Sequence, residues 1–171
     1  MTILERLLRH DAWTTKKLLE LSRQLPDADL DREFDIGHRT LRRTFAHIVA
    51  NMECWADLMA AKPQRWNKNN QPGNSIEELI ARLDTVSSDL LAIGMRVDQA
   101  DTPEGYFTDY LDSPPRNKPL GAGMVHIATH GMHHRAQCLY IMRMLGISNL
   151  IEGDAISWER EHRGLDKWPA A

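Results

Sequence analysis

His126-Ile127-Ala128-Thr129-His130-Gly131-Met132-His133-His134-Arg135-Ala136-Gln137-Cys138 is the stretch from which the fold can be read. On an α-helix, residues four apart lie one turn above another. His126, His130, His134 and Cys138 therefore share one ridge, and His133, rotated by about 100° from His134, points elsewhere. A His-x-x-x-His pair can bring two imidazole nitrogens to one ion, as in helical metal motifs. Three successive turns cannot: His126 lies roughly 12 Å from His134 along the axis. His126 is therefore read as a pocket residue beside the pair His130/His134. Burying imidazoles without partners costs about 1–3 kcal/mol each, and a shared cation removes that cost. Such a ridge calls for a facing helix that brings a third ligand, which is how helical bundles build metal sites in their cores.

The facing helix is found near residue 40. Thr40 is a plausible N-cap, and the segment ends by Pro63. Leu41, Phe45, Ile48, Met52, Trp55 and Met59 make one inward stripe; Thr44, His47, Asn51, Cys54 and Leu58 make its neighbour. His47, in mid-helix among core residues, is the best third ligand. Asn51 and Gln137 are placed to orient imidazoles from behind. Arg135 is read as a cross-helix ion-pair partner or a contact for an anionic substrate. Cys54 and Cys138 are read as small core residues; a thiolate at Cys138, or His126, would be the group that closes the site as a fourth ligand. His10 and His38 are read as surface or capping residues, and His162 belongs to the tail.

Two more helices follow from period. One runs from about Thr2 to Gln24, with Leu4, Leu7, Leu8, Leu18 and Leu21 at helical spacing, Trp13 as a core anchor, and Pro26 with Asp27 and Asp29 ending it. The other starts at Ser75, with Glu78 three residues on as a capping box, and carries Ile76, Leu79, Leu83, Val86, Leu90 and Val97. Residues 63–74 read as a loop. Residues 101–119, with Pro103, Gly105, Pro114, Pro115 and Pro119, read as irregular, with Tyr106 to Leu111 a short extended piece. The last helix is expected from Gly121 to Leu145, stopped by Gly146. The reading is all-α: a four-helix bundle over 1–146 and a C-terminal extension over 147–171, packed on the bundle or a partner, with a short helix between Asp154 and Arg163.

The 171 residues suit one domain. A net charge of −3 offers no basic footprint for nucleic acid. No apolar run approaches the roughly 18 residues of a membrane span. The two cysteines suggest no disulfide framework, so a cytoplasmic setting is expected. Four of the eight histidines crowd into 126–134.

The run His126-x-x-x-His130-Gly131-x-x-His134-Arg135-x-Gln137, with His47 in a helix that carries Trp55, resembles the DinB/YfiT-like superfamily over roughly residues 2–146. Ala136 departs from the glycine common there. The resemblance implies a bundle in up-down-down-up order with a long crossover, often a homodimer. It also implies one divalent metal, zinc or nickel first and manganese or iron next, held by His47, His130 and His134. Members with assigned chemistry include thiol S-transferases that use bacillithiol or mycothiol, and a thiol-dependent maleylpyruvate isomerase.

Three neutral imidazoles leave a cation its full charge and an open position, the pattern of catalytic sites. The expectation is an enzyme, a thiol S-transferase or hydrolase, that activates a thiol or water for a small-molecule substrate. The alternative is a non-catalytic, stress-related bundle that binds a metal or ligand. A metal-free interaction protein would instead keep His47 far from His130 and His134. No general base is evident: Glu53, six residues past His47, points away from it on a regular helix.

Overall fold

Side-chain caps set where the helices begin. The Thr2 hydroxyl accepts from the Glu5 amide at 3.1 Å and opens α1, Ile3–Ser22. After Pro26 comes a single turn, α2, Asp27–Leu30, where the sequence suggested only a stop. Thr40 caps α3, Leu41–Met59, by accepting from the Arg43 amide at 3.1 Å. The capping box opens α4, Ile76–Gln99: the Glu78 amide donates to Ser75 Oγ at 3.3 Å, and the Ser75 amide donates to Glu78 Oε2 at 3.0 Å. Strands β1, Tyr106–Asp109, and β2, Arg116–Pro119, pair antiparallel, Tyr106 opposite Pro119. Then come α5, Leu120–Met144, and α6, Ala155–His162, the latter capped by Asp154. The computed structural model describes residues 1–99 and 105–169. The expected irregular stretch therefore begins outside the described residues, at 101–104 with Pro103. Its later part is corrected to a hairpin, because 116–119 supplies the partner for the extended piece foreseen at 106–111.

The four long helices form the bundle. Helix α1 packs on α4 and α5, and α3 packs on the same two. Leu18, Phe45, Ile48, Leu83, Leu90 and Ile141 are fully enclosed between them. This is the payoff of apolar residues recurring at three and four. The tail lies along α1. Trp158 of α6 is buried, Arg6 Nε donates to Glu159 at 3.1 Å, and Lys17 pairs with Glu161 at 2.8 Å.

Trp13 belongs to that seam and not to the bundle core. Its indole donates to Glu161 at 3.2 Å, and its ring stacks on His10 at 6.3 Å between centroids. Period alone could not separate a face covered by the bundle from one covered by the tail.

Three sets of ion pairs satisfy buried charges. Arg82 forks onto Glu53 at 3.1 and 2.7 Å, joining α4 to α3. Arg65 grips Asp57 at 2.7 Å and Asp89 at 2.9 Å, which ties the 63–74 loop to α3 and α4. Arg135 of α5 pairs with Asp11 of α1, both nearly sealed from solvent. Gly131 makes that last pair possible: a Cβ there would stand 2.7 Å from both Arg135 Nη1 and Asp11 Oδ1.

Candidate metal centre

Four imidazoles meet where α3 faces α5. His47 Nε2 lies 3.1 Å from His130 Nε2. Ring centroids of His47 and His134 are 4.6 Å apart, and those of His130 and His134 are 4.5 Å apart. The structure thus brings together the three histidines singled out from spacing, and the separation expected of a metal-free interaction protein is not found. His38 joins them, against expectation. Its ring lies 3.8 Å from that of His47 and 5.2 Å from that of His134. One ligand nitrogen each from His38, His47 and His134 falls within 4.8 Å of the others, a three-His cluster that could hold a metal ion.

His38 is neither a cap nor a free surface residue because the chain before α3 doubles back. Gly37 and Arg39 both have positive φ, +50° and +70°, and the Phe34 amide donates to the Arg39 carbonyl at 2.7 Å. This turn folds residue 38 back over the start of α3. No periodic pattern encodes it; the only sequence signal was Gly37, a residue that tolerates the left-handed region.

The state of the rings follows from their surroundings. Burial, then the neighbouring His38 and His134, pushes His47 down from 6.5 to about 4. His130 falls to about 4 as well, through burial and then His134, His47, His126 and His133. His38 is lowered by burial and by His134. Crowded and half-buried, these rings stay neutral at physiological pH, the form in which imidazole binds metals.

Gln137 fixes the tautomer of His134. Its Oε1 accepts from His134 Nδ1 at 2.9 Å, and its Nε2 donates to His133 Nε2 at 3.0 Å. With the proton on Nδ1, His134 presents the lone pair of Nε2. The orienting role read for Gln137 is therefore visible. Asn51 differs: its Oδ1 is buried without a hydrogen-bond partner, as is His130 Nδ1. His126 is exposed, its ring 5.4 Å from His130 and 4.9 Å from Trp55.

Arg135 and Cys138 lie away from the centre, in the structural roles read for them as one alternative each. Arg135 makes its cross-helix ion pair with Asp11, one helical step away from the imidazoles. Burial raises the Asp11 carboxyl, and Arg135 opposes that rise. Cys138 is wholly enclosed in the core, and burial pushes its thiol up. A step of four residues overshoots a turn by about 40°, so the ridge drifts. It starts exposed at His126 and ends in the core at Cys138. Glu53 is buried and paired with Arg82, consistent with its pointing away.

The hairpin adds neighbours that spacing did not suggest. Phe107 of β1 packs edge-on to Trp55 at 5.8 Å, and Lys118 Nζ of β2 stands 5.6 Å over the Trp55 ring. Lys118 is itself held by Asp109 at 2.6 Å. Trp55 and Phe107 thus form an aromatic wall next to His126.

The donor set tests well against a divalent metal. Nitrogen donors from α3, α5 and the loop before α3 converge, the adjoining His130 carries an orphaned buried Nδ1, and no carboxylate belongs to the three-residue cluster. Imidazole sets of this kind suit zinc, nickel, copper or iron better than magnesium or calcium.

Residues 1–152 match the DinB family, and the chain belongs to it. Among solved structures, a DinB-like protein from Bacillus cereus ATCC 10987 superposes with a TM-score of 0.62 at 21% identity, covering 82% of this chain and 89% of that one. That likeness bears on the fold alone. No curated protein matches the chain. Among the described residues, no helix is long and apolar enough to cross a membrane.

Proposed function

We propose that this protein is a divalent-metal-dependent enzyme of the thiol S-transferase or hydrolase class. One observation carries the reading: imidazoles from separate stretches of chain converge on one point, with His38, His47 and His134 nitrogens within 4.8 Å of one another and His130 Nε2 3.1 Å from His47 Nε2. His47, His130 and His134 would hold the ion, zinc or nickel before manganese or iron. When bound, such an ion lowers the pKa of a thiol or water that shares it, which is the chemistry S-transfer and hydrolysis need.

The chain's own residues prepare this. Burial keeps the protons off His47 and His130 down to about pH 4, so protons do not compete for their lone pairs at neutral pH. Gln137 holds His134 in the tautomer that leaves Nε2 free. Trp55 and Phe107 exclude water from one flank and offer an apolar face to a small substrate. Glu53 is neutralised by Arg82 and so is not the base. A cytoplasmic setting is part of the proposal, in keeping with two cysteines that are free thiols. So is a homodimer, supported by Val125, Met132, Tyr140 and Met144, large apolar residues exposed along α5.

The second reading, a non-catalytic metal- or ligand-binding bundle, is favoured by His38, a fourth imidazole whose ring lies 3.8 Å from that of His47 and could fill the position left open for a guest. The two separate in one experiment. Purified protein is assayed for bound metal and, loaded with zinc or nickel, for consumption of low-molecular-weight thiols with carbon electrophiles and for hydrolysis. We expect about one metal per chain, lost in His47→Ala and His134→Ala, and turnover that follows metal content. Full metal in both variants removes the site; metal without turnover across the panel leaves the binding protein.

A further inference from the structure

We propose that His38 is a displaceable fourth ligand, a loop-borne imidazole that closes the metal centre at rest and yields its place to an anionic guest such as a thiolate. This rests on the metal reading above and specifies how that site opens.

The four imidazoles are not mounted alike. His47 stands in mid-α3, and His130 and His134 in mid-α5, each on a long helix of the bundle. His38 stands two residues before the Thr40 cap, between Gly37 and Arg39, in a turn held by three backbone bonds: Phe34 amide to Arg39 carbonyl at 2.7 Å, Arg39 amide to Ile36 carbonyl at 2.9 Å and Thr40 amide to the His38 carbonyl at 2.9 Å. Moving it requires a change of turn and no change in the bundle. Its ring nonetheless lies closest to His47, 3.8 Å between centroids, and its nitrogen completes the compact set with His47 and His134.

The turn is also seated on the centre's own support. A Cβ on Gly37 would stand 2.1 Å from Gln137 Oε1, the atom that accepts from His134 Nδ1. Only a glycine lets the loop backbone come so near that amide. The loop that carries His38 and the side chain that orients His134 are therefore in contact, and a guest that displaces the one is felt by the other.

Charge sets the direction of exchange. Imidazole ligands bring no negative charge and leave a divalent ion its full charge, so a ring is a weaker partner than an anionic donor of similar reach. The resting ring lowers the apparent affinity of any guest by the fraction of time the position is free. If it is free one tenth of the time, the guest binds about tenfold more weakly than its intrinsic affinity.

Cobalt(II) loaded in place of zinc, with azide as the anionic probe, tests this on the full-length protein. The visible spectrum of cobalt reports the number and kind of its donors. His38→Ala and His38→Gln, which keeps a polar side chain of similar reach, are compared with the wild type. We expect all three to bind cobalt, both variants to show a changed spectrum, and azide to bind each variant about tenfold more tightly. Identical spectra and azide affinities in all three overturn the inference alone, since His38 is then no ligand. Variants that take no cobalt overturn it too, since His38 is then indispensable and not displaceable. A wild type that takes no cobalt overturns both this and the metal reading.

Discussion

The bundle buries polar groups in two contrasting ways. At Asp11–Arg135 and Glu53–Arg82, every enclosed charge meets its opposite in direct contact, and nothing more is needed from outside. At the imidazoles, four like groups crowd together with no acid in the three-residue cluster; His130 Nδ1 lacks any partner, and two of the rings are driven down to about 4. The first kind holds helices in place and is complete. The second is costly as it stands, and a bound cation would offset that cost. A polar interior that does not balance itself is where a ligand is to be sought.

That contrast can be broken or sharpened by experiment. The largest effect should come from Asp11→Ala, which strands Arg135 in the interior. We expect a loss of about 3–5 kcal/mol in denaturant unfolding, whereas replacing both partners by apolar residues of similar volume should restore most of it. The imidazole cluster should respond to acid in its own way. His47 and His130 titrate near 6.5 in the unfolded chain and at about 4 in the fold, so the unfolded state binds more protons between those values. The metal-free protein should therefore lose stability as pH falls from about 6.5 to about 4, and a flat profile of unfolding midpoint against pH across that window would contradict the buried, neutral rings. Gln137→Ala should weaken zinc about 10- to 100-fold by chelator competition, because His134 loses its orienting acceptor. The smallest change should come from Cys138→Ala: about 1 kcal/mol of stability and no change in zinc affinity. A loss of zinc there would return the thiol to the centre.

Periodic features of the molecule could be read from the sequence, and non-periodic ones could not. The Ser75–Glu78 box, the Thr40 cap and the stripes of α3 and α4 are written in spacings of three and four, and the helices form there. The convergence of His47 on His130 and His134 followed from the same arithmetic. His38 was overlooked because it depends on a left-handed turn at Gly37 and Arg39, for which there is no repeat to count. The drift of about 40° per four residues, small over one step, carried Cys138 away from the ridge where spacing had put it. Trp13 was sent to the wrong interior because a helix covered on two sides shows one broad stripe. The β1–β2 hairpin was half visible: Tyr106 to Leu111 looked extended, but the prolines around Arg116 hid its partner.

The small void that Gly131 leaves for the Asp11–Arg135 pair has a bearing on engineering. Residue 131 follows one imidazole directly and Arg135 follows another, so the pair acts as a key in a slot, setting how α5 is turned about its long axis. Anyone transplanting this histidine quartet into another scaffold would have to carry the key and its slot along, or the rings would be present in composition and misaimed in space.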